Sequence, residues 1–268
     1  MTDRDRLTLM RTLLAFVWGT GVLGVQARAI DVVVDPGHTP ARPGASTVDG
    51  RPEYGYNLAL AGRLAQVLAQ RGLRVERSDA AGAELPLAER TARTGEARLF
   101  VSIHHDSIQQ AWIDRGWRDR YQGFSLFVSP RNPAYEQSLQ CARRIGTELR
   151  RAGEAPSLYH ATPIPGEDRP LLDRPNGVHR FDDLVVLHTA QSPAVLVEIG
   201  VIANPAQAAR LALPVVVETL ARAVAAGVQA CLASLPQPAP ALPSPAPPRL
   251  TPAPPRPAPV SPRSAPGP

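Results

Sequence analysis

Two histidine-bearing segments and two glutamates are the residues of this chain whose types can do chemistry together. His38 closes the run Ile30-Asp-Val-Val-Val-Asp-Pro-Gly-His38, and Glu53 follows at the start of a helical pattern. The pair His104-His105 closes Val101-Ser-Ile, and Glu198 sits within Val195-Leu-Val-Glu198-Ile-Gly200. Two imidazoles and one carboxylate suit zinc, because three protein ligands leave a fourth position for a water whose pKa the metal lowers toward neutrality. A second carboxylate outside that set can take the water's proton and pass it to a leaving amine. Taken singly, each residue has a plainer reading. An acid such as Glu53 favours a helix N-terminus by about 0.5 kcal/mol, and a lone histidine at a strand end is commonly just hydrogen-bonded. Glu198 is harder to explain that way. Its apolar neighbours imply a buried strand, where an ionised carboxylate is costly unless paired or metal-bound. Only one of His104 and His105 can face a site, since consecutive strand side chains point to opposite faces, and periodicity does not choose between them.

The elements that position these residues read as alternating strands and helices. Within Ile30–His38 a short β-branched run suits a buried strand, and Asp-Pro-Gly ends it on a tight turn. After a Pro/Gly-rich loop, Tyr54–Gln70 repeats apolar residues at helical spacing and Gly72 stops it. Leu73–Ser78 reads as a short strand, Pro86 to about Thr94 as a short helix, and Leu99–Ile103 as a buried strand. A polar loop carrying tryptophans follows, then a strand at Gly123–Ser129 and an amphipathic helix at Pro133–Ala152. Pro156–Arg180 is expected to be a long irregular insertion, with His160 and His179 as exposed loop histidines. Leu184–His188 and Ala194–Ile199 read as two further strands, and helix Pro214–Leu235, preceded by a short one from Pro205, closes the core. The fold expected is α/β: a single domain with a twisted, mostly parallel sheet and helices on both faces. In such sheets ligands bind at the C-terminal strand edges, where His38 and His104-His105 fall.

Both ends are expected to lie outside that domain. Residues 1–29 read as a signal peptide, with a basic start, an apolar run and Ala27-Arg28-Ala29 as the cleavage site. Residues 236–268 are so rich in proline that an extended, disordered tail is expected. The catalytic domain is thus 30–235, exported to the periplasm or secreted, without a stable membrane anchor after cleavage. The ends also explain the charge. All 29 basic residues are arginine, and the formal net charge is +5. The signal contributes +2 and the tail +3, so the core carries no net charge and gives no reason to expect a nucleic-acid partner. Cys141 and Cys231 lack zinc-type spacing. Sequence leaves open whether they pair.

Four motifs resemble one family, the zinc-dependent N-acetylmuramoyl-L-alanine amidases of the family 3 type, which are bacterial cell-wall hydrolases. Asp35-Pro-Gly-His38 is similar to their opening motif, and Glu53-Tyr-Gly-Tyr-Asn57-Leu58 to their Glu-x-x-x-Asn-Leu helix start. Ser102-Ile-His104 is similar to their Ser-Ile-His strand, and Val195 to Pro205 to their closing strand. The motifs fall in family order and span the core. The resemblance implies one zinc ion per chain held by His38, Glu53 and His104, with Glu198 as the catalytic acid/base. The reaction implied is hydrolysis of the amide between N-acetylmuramic acid and L-alanine in peptidoglycan, with an activator protein left open as a partner. The resemblance also selects His104 over His105 and makes Asp35, Asn57 and Asn204 supports of local geometry; His105 stands where the family usually has a small residue, a departure that leaves contact with substrate open as its role. Two other departures stand out: Thr39-Pro40 follows His38 where the family has Gly-Gly, and the 156–180 segment is unlike the commonest members. No helical insert of the kind that blocks the zinc in some members is expected. The alternatives are a non-catalytic peptidoglycan-binding or regulatory protein on the same fold, and a zinc peptidase cutting within the stem peptide. A nucleotide-binding protein is disfavoured, because the first strand–helix loop lacks a glycine-rich phosphate pattern.

Overall fold

The computed structural model describes residues 30–79 and 84–236. The expected signal peptide and all of the expected tail except Pro236 lie outside the described residues.

Seven strands form one sheet in the order β2-β1-β3-β7-β4-β6-β5. They are β1 (Ile30–Pro36), β2 (Val75–Arg77), β3 (Ala97–Asp106), β4 (Ser125–Val128), β5 (Leu171–Asp173), β6 (Val178–Arg180) and β7 (Ala194–Val201). The pairings β1–β2, β1–β3, β3–β7 and β4–β6 are parallel, while β4–β7 and β5–β6 are antiparallel. The α/β architecture is the expected one, a mostly parallel sheet in a single domain with helices on both faces, though unequally shared.

The three long helices, α1 (Glu53–Gln70), α3 (Tyr135–Arg151) and α6 (Pro214–Ser234), bury their apolar residues together with Val32, Val34, Val101, Val195 and Val197 on one face. Helix α6 is apolar and long enough to cross a bilayer by length and composition, but much of it is spent in this core. Gly227 lets α6 approach α3 closely, since a Cβ there would fall 2.5 Å from Ile145 Cα. One helical repeat further on, Cys231 is disulfide-bonded to Cys141 of α3, Cα–Cα 4.8 Å. The other face is covered by a smaller cluster of Val33, Phe100, Phe127, Leu196 and the short helix α4 (Val185–Thr189).

Helix α4 corrects the expected strand at Leu184–His188. Both edges of β7 are already paired, with β3 and β4. The β-branched run therefore has no place beside β7 and instead buries Val186 and Leu187 on the open face as a single turn of helix. The insertion 156–180 is likewise not irregular throughout: it supplies β5 and β6, which extend the sheet beyond β4. The helix expected from Pro86 is two short 3-10 turns, Glu89–Thr91 and Thr94–Glu96. The tryptophan-bearing loop contains a short helix, α2 (Gln110–Asp114), which packs Trp112 against Trp117 and Tyr121. Helix α5 (Pro205–Leu211) starts as its sequence suggests, with Asn204 accepting from the backbone N–H of Ala206 and Gln207 and Pro205 in the first turn.

Candidate active site

Three neighbouring parallel strands bring their C-terminal ends to one edge, and the ends of β1, β3 and β7 carry the site. Strand alternation decides what each residue faces. Leu99, Val101 and Ile103 of β3 point into the helix-side core and Phe100 points away from it, so His104 shares the open face and His105 the helix face. Glu198 lies directly opposite His104 in the β3–β7 register and two residues after Leu196 of the open face. Glu53 enters from the first turn of α1 and His38 from the turn after β1.

His38, Glu53 and His104 come together, with one donor atom from each within 4.8 Å of the others. His38 Nε2 lies 2.9 Å from one carboxylate oxygen of Glu53, and His104 Nδ1 lies 3.0 Å from the other. Glu53 is buried, and its carboxylate is held from several sides. Asn57 (3.0 Å) and the backbone N–H of His105 (3.3 Å) donate to Oε1, and the backbone N–H of Ala45 donates to Oε2 (3.2 Å). Burial alone would raise the Glu53 pKa, but the hydrogen bonds and charges of His104 and His38 overcome it and hold the group ionised. Two imidazoles and an ionised carboxylate form a donor set suited to a zinc-type divalent metal.

The close packing explains the glycines. A Cβ on Gly37 would fall 2.1 Å from the His104 imidazole, and one on Gly44 would fall 2.4 Å from Glu53 Oε2. The turn expected at Gly37 takes its unusual backbone one residue later: His38 itself has φ 67°, a left-handed conformation rare outside glycine. Gly37 is required by the approach of His104.

Glu198 is the fourth member. Its Oε2 is buried and has no hydrogen-bond partner among the described residues. Burial, with Asp106 and Glu53 nearby, holds its carboxyl well above the ordinary carboxylate range. A cleft of about 290 Å³ is lined by His38, His104, Arg42, Leu85, Leu87, Val185 and Leu196.

His105 does not face substrate, the role its departure from the family pattern left open. It is buried on the helix side, 2.8 Å from Asn57 Oδ1 and against Tyr56, and burial pushes its pKa down to about 3, so it stays neutral. The exposed loop histidines are also corrected. His179 is fully buried on β6. His160 is bonded to two carboxylates, Asp106 and Glu167, each at 2.8 Å. Burial would lower its pKa, but those carboxylates raise it to about 9. The fold pulls the insertion onto the open face, where a loop reading of the sequence placed it in solvent.

Asp35 and Asn57 support the site. Asn57 donates to the Gly37 carbonyl (3.1 Å), and Asp35 accepts from Ser78 (2.5 Å) and Ser102 (2.7 Å). Sequence reasoning missed Arg90, buried beneath the His38 turn. Its signal was weak: an arginine in a polar segment outside every motif, with nothing local to mark it as buried.

The fold and the site define an α/β enzyme with a histidine–carboxylate cluster at the C-terminal edge of its sheet. The family model of the N-acetylmuramoyl-L-alanine amidases, Amidase_3, matches residues 32–230. Among solved structures, the amidase Ami1 from Mycobacterium smegmatis is similar at TM-score 0.63 and 25% identity, covering 77% of this chain and 98% of that one. The apo form of Ami1 from Mycobacterium abscessus gives 0.62 and 25%, covering 76% and 98%. The CwlD amidase from Clostridioides difficile, in complex with the GerS lipoprotein, shares the fold at 0.55 and 22%, covering 76% and 98%. No curated protein matches the chain. The chain belongs to the N-acetylmuramoyl-L-alanine amidase family, and it is a peptidoglycan amidase.

Proposed function

We propose that this amidase is zinc-dependent, with His38, Glu53 and His104 holding one metal ion and Glu198 acting as general base and acid. The reading rests on one observation above all: a buried carboxylate oxygen of Glu198, without a partner among the described residues, opposite His104 in the strand register. Such a group is costly unless it has work to do. When bound, the metal supplies Lewis acidity, which acidifies water and polarises a carbonyl.

The chain's own residues do the rest. Glu198 takes a proton from the attacking water at its free oxygen and returns it to the leaving L-alanine nitrogen as the carbon–nitrogen bond breaks. A carboxylate whose pKa is raised by burial is a stronger base toward the water's proton than an exposed one. Glu53, fixed by Asn57 and two backbone N–H groups, keeps the two histidines on either side of one carboxylate. Leu85, Leu87 and Val185 give the cleft an apolar wall that keeps bulk water from the reacting amide.

Export to the periplasm or beyond, with residues 1–29 as signal peptide, 30–235 as the catalytic domain and 236–268 as a tail, accords with a substrate outside the cytoplasm. The buried Cys141–Cys231 disulfide supports it, since such bonds persist in oxidising compartments. An activator protein is kept as a partner in this reading; CwlD, an amidase of the same fold, is seen in complex with the GerS lipoprotein.

The test is product analysis on peptidoglycan with the zinc-loaded enzyme, wild type beside Glu198→Ala. Free stem peptides with intact glycan, abolished by a chelator and by Glu198→Ala although that variant still binds zinc, are expected. Hydrolysis by Glu198→Ala near the wild-type rate would remove Glu198 from its role. Cleavage inside the stem would change the bond assigned.

A further inference from the structure

We infer that Arg90 is a positioning residue for His38 and through it for metal binding, which rests on the metal-site reading above. Arg90 comes from the 3-10 turn Glu89–Thr91, outside all four motifs, and its side chain is 6% exposed. Nη1 donates to the Pro36 carbonyl (2.8 Å) and to Asp35 Oδ1 (3.1 Å), and Nη2 donates to the His38 carbonyl. Asn57 takes the Gly37 carbonyl between them. Three consecutive carbonyls are thus held by two side chains, and the third belongs to His38, the residue with φ 67°.

That conformation is disfavoured for a residue with a Cβ and persists only where its surroundings enforce it. A planar guanidinium can hold two carbonyls and a carboxylate at once, which an ammonium on a flexible stem cannot do in the same geometry. The carboxylate partner extends the effect. Asp35 also accepts from Ser102 on β3, two residues before His104. One buried ion pair therefore braces the turn that carries His38 and the strand that carries His104. A buried ion pair is weak evidence for a stabilising role. The placement of its donors, on the backbone of a proposed ligand, points to geometry instead.

The experiment titrates zinc into metal-free protein by competition with a chromophoric chelator, for wild type, Arg90→Lys and Arg74→Gln. Arg74 pairs with Asp31 at the opposite end of β1 (3.2 Å) and controls for loss of an ion pair as such. Thermal midpoints of the metal-free forms are measured alongside. Zinc affinity is expected to fall about 10- to 100-fold in Arg90→Lys, the range for residues that orient metal ligands, and to stay near wild type in Arg74→Gln. Wild-type zinc affinity in a folded Arg90→Lys would overturn the positioning role and leave the metal reading intact. Failure of the wild type to bind zinc would overturn the metal reading and this inference with it. Should Arg90→Lys not fold, Asp35→Asn serves in its place, because it keeps the shape of the buried pair while removing the charge that orients the guanidinium; it carries the same expected loss and the same refuting result.

Discussion

Replacing His160 by glutamine should remove a pH-dependent share of this amidase's stability that the residue's sequence position does not suggest. His160 lies in the insertion, yet its two ring nitrogens are bonded to Asp106 and Glu167 at 2.8 Å. Its pKa is raised from 6.5 to about 9, with the two carboxylates outweighing the opposing effect of burial. A group whose folded pKa exceeds its unfolded value stabilises fully below the unfolded value and loses that contribution as pH rises through the folded one. At about 1.4 kcal/mol per unit, the charged imidazole contributes roughly 3 kcal/mol at pH 6. That contribution should decline through pH 7 to 9 and be nearly gone by pH 10. Glutamine keeps much of the size but cannot carry the charge. Urea unfolding of wild type and His160→Gln, both with chelator present, would measure the gap at pH 6, 8 and 10. The gap should shrink by roughly 3 kcal/mol across that series. A gap that stays constant from pH 6 to pH 10 would refute the argument, because only loss of packing would then separate the two proteins.

Other perturbations follow from the same geometry. Gly37→Ala drives a methyl group into the His104 ring; metal binding measured by zinc titration should be lost while far-UV circular dichroism stays close to wild type. Reduction of the Cys141–Cys231 disulfide, or a Cys141→Ser/Cys231→Ser double variant, opens a link between residues 90 apart. It should cost about 2–5 kcal/mol in chemical denaturation. Leu87→Asp places a charge on the apolar, exposed wall of the cleft. It should raise KM for muropeptide severalfold with little change in kcat, and a change confined to kcat would count against that wall as a substrate surface.

The sequence by itself determined the alternation of strands and helices and the placement of His38 and the His104-His105 pair at strand ends, and its resemblance to the family singled out His38, Glu53, His104 and Glu198. Those features are local. β-branched runs, turn residues and helical spacing are readable within a window of a few residues, and the order of the motifs carries the family. Glu198 was legible because a carboxylate among Val195, Leu196, Val197 and Ile199 conflicts with its own surroundings. What only the tertiary structure decided depends on partners distant in sequence. Val185–Thr189 forms a helix because both edges of β7 are already occupied. His105 is a neutral core residue because α1 covers that face of β3, and the strand pattern cannot say which face a helix will take. His160 and Arg90 resemble ordinary surface residues until Asp106 and Asp35 are brought to them across 54 and 55 residues of chain. A buried ion pair has no period and no local composition, so it becomes visible only when the fold has closed.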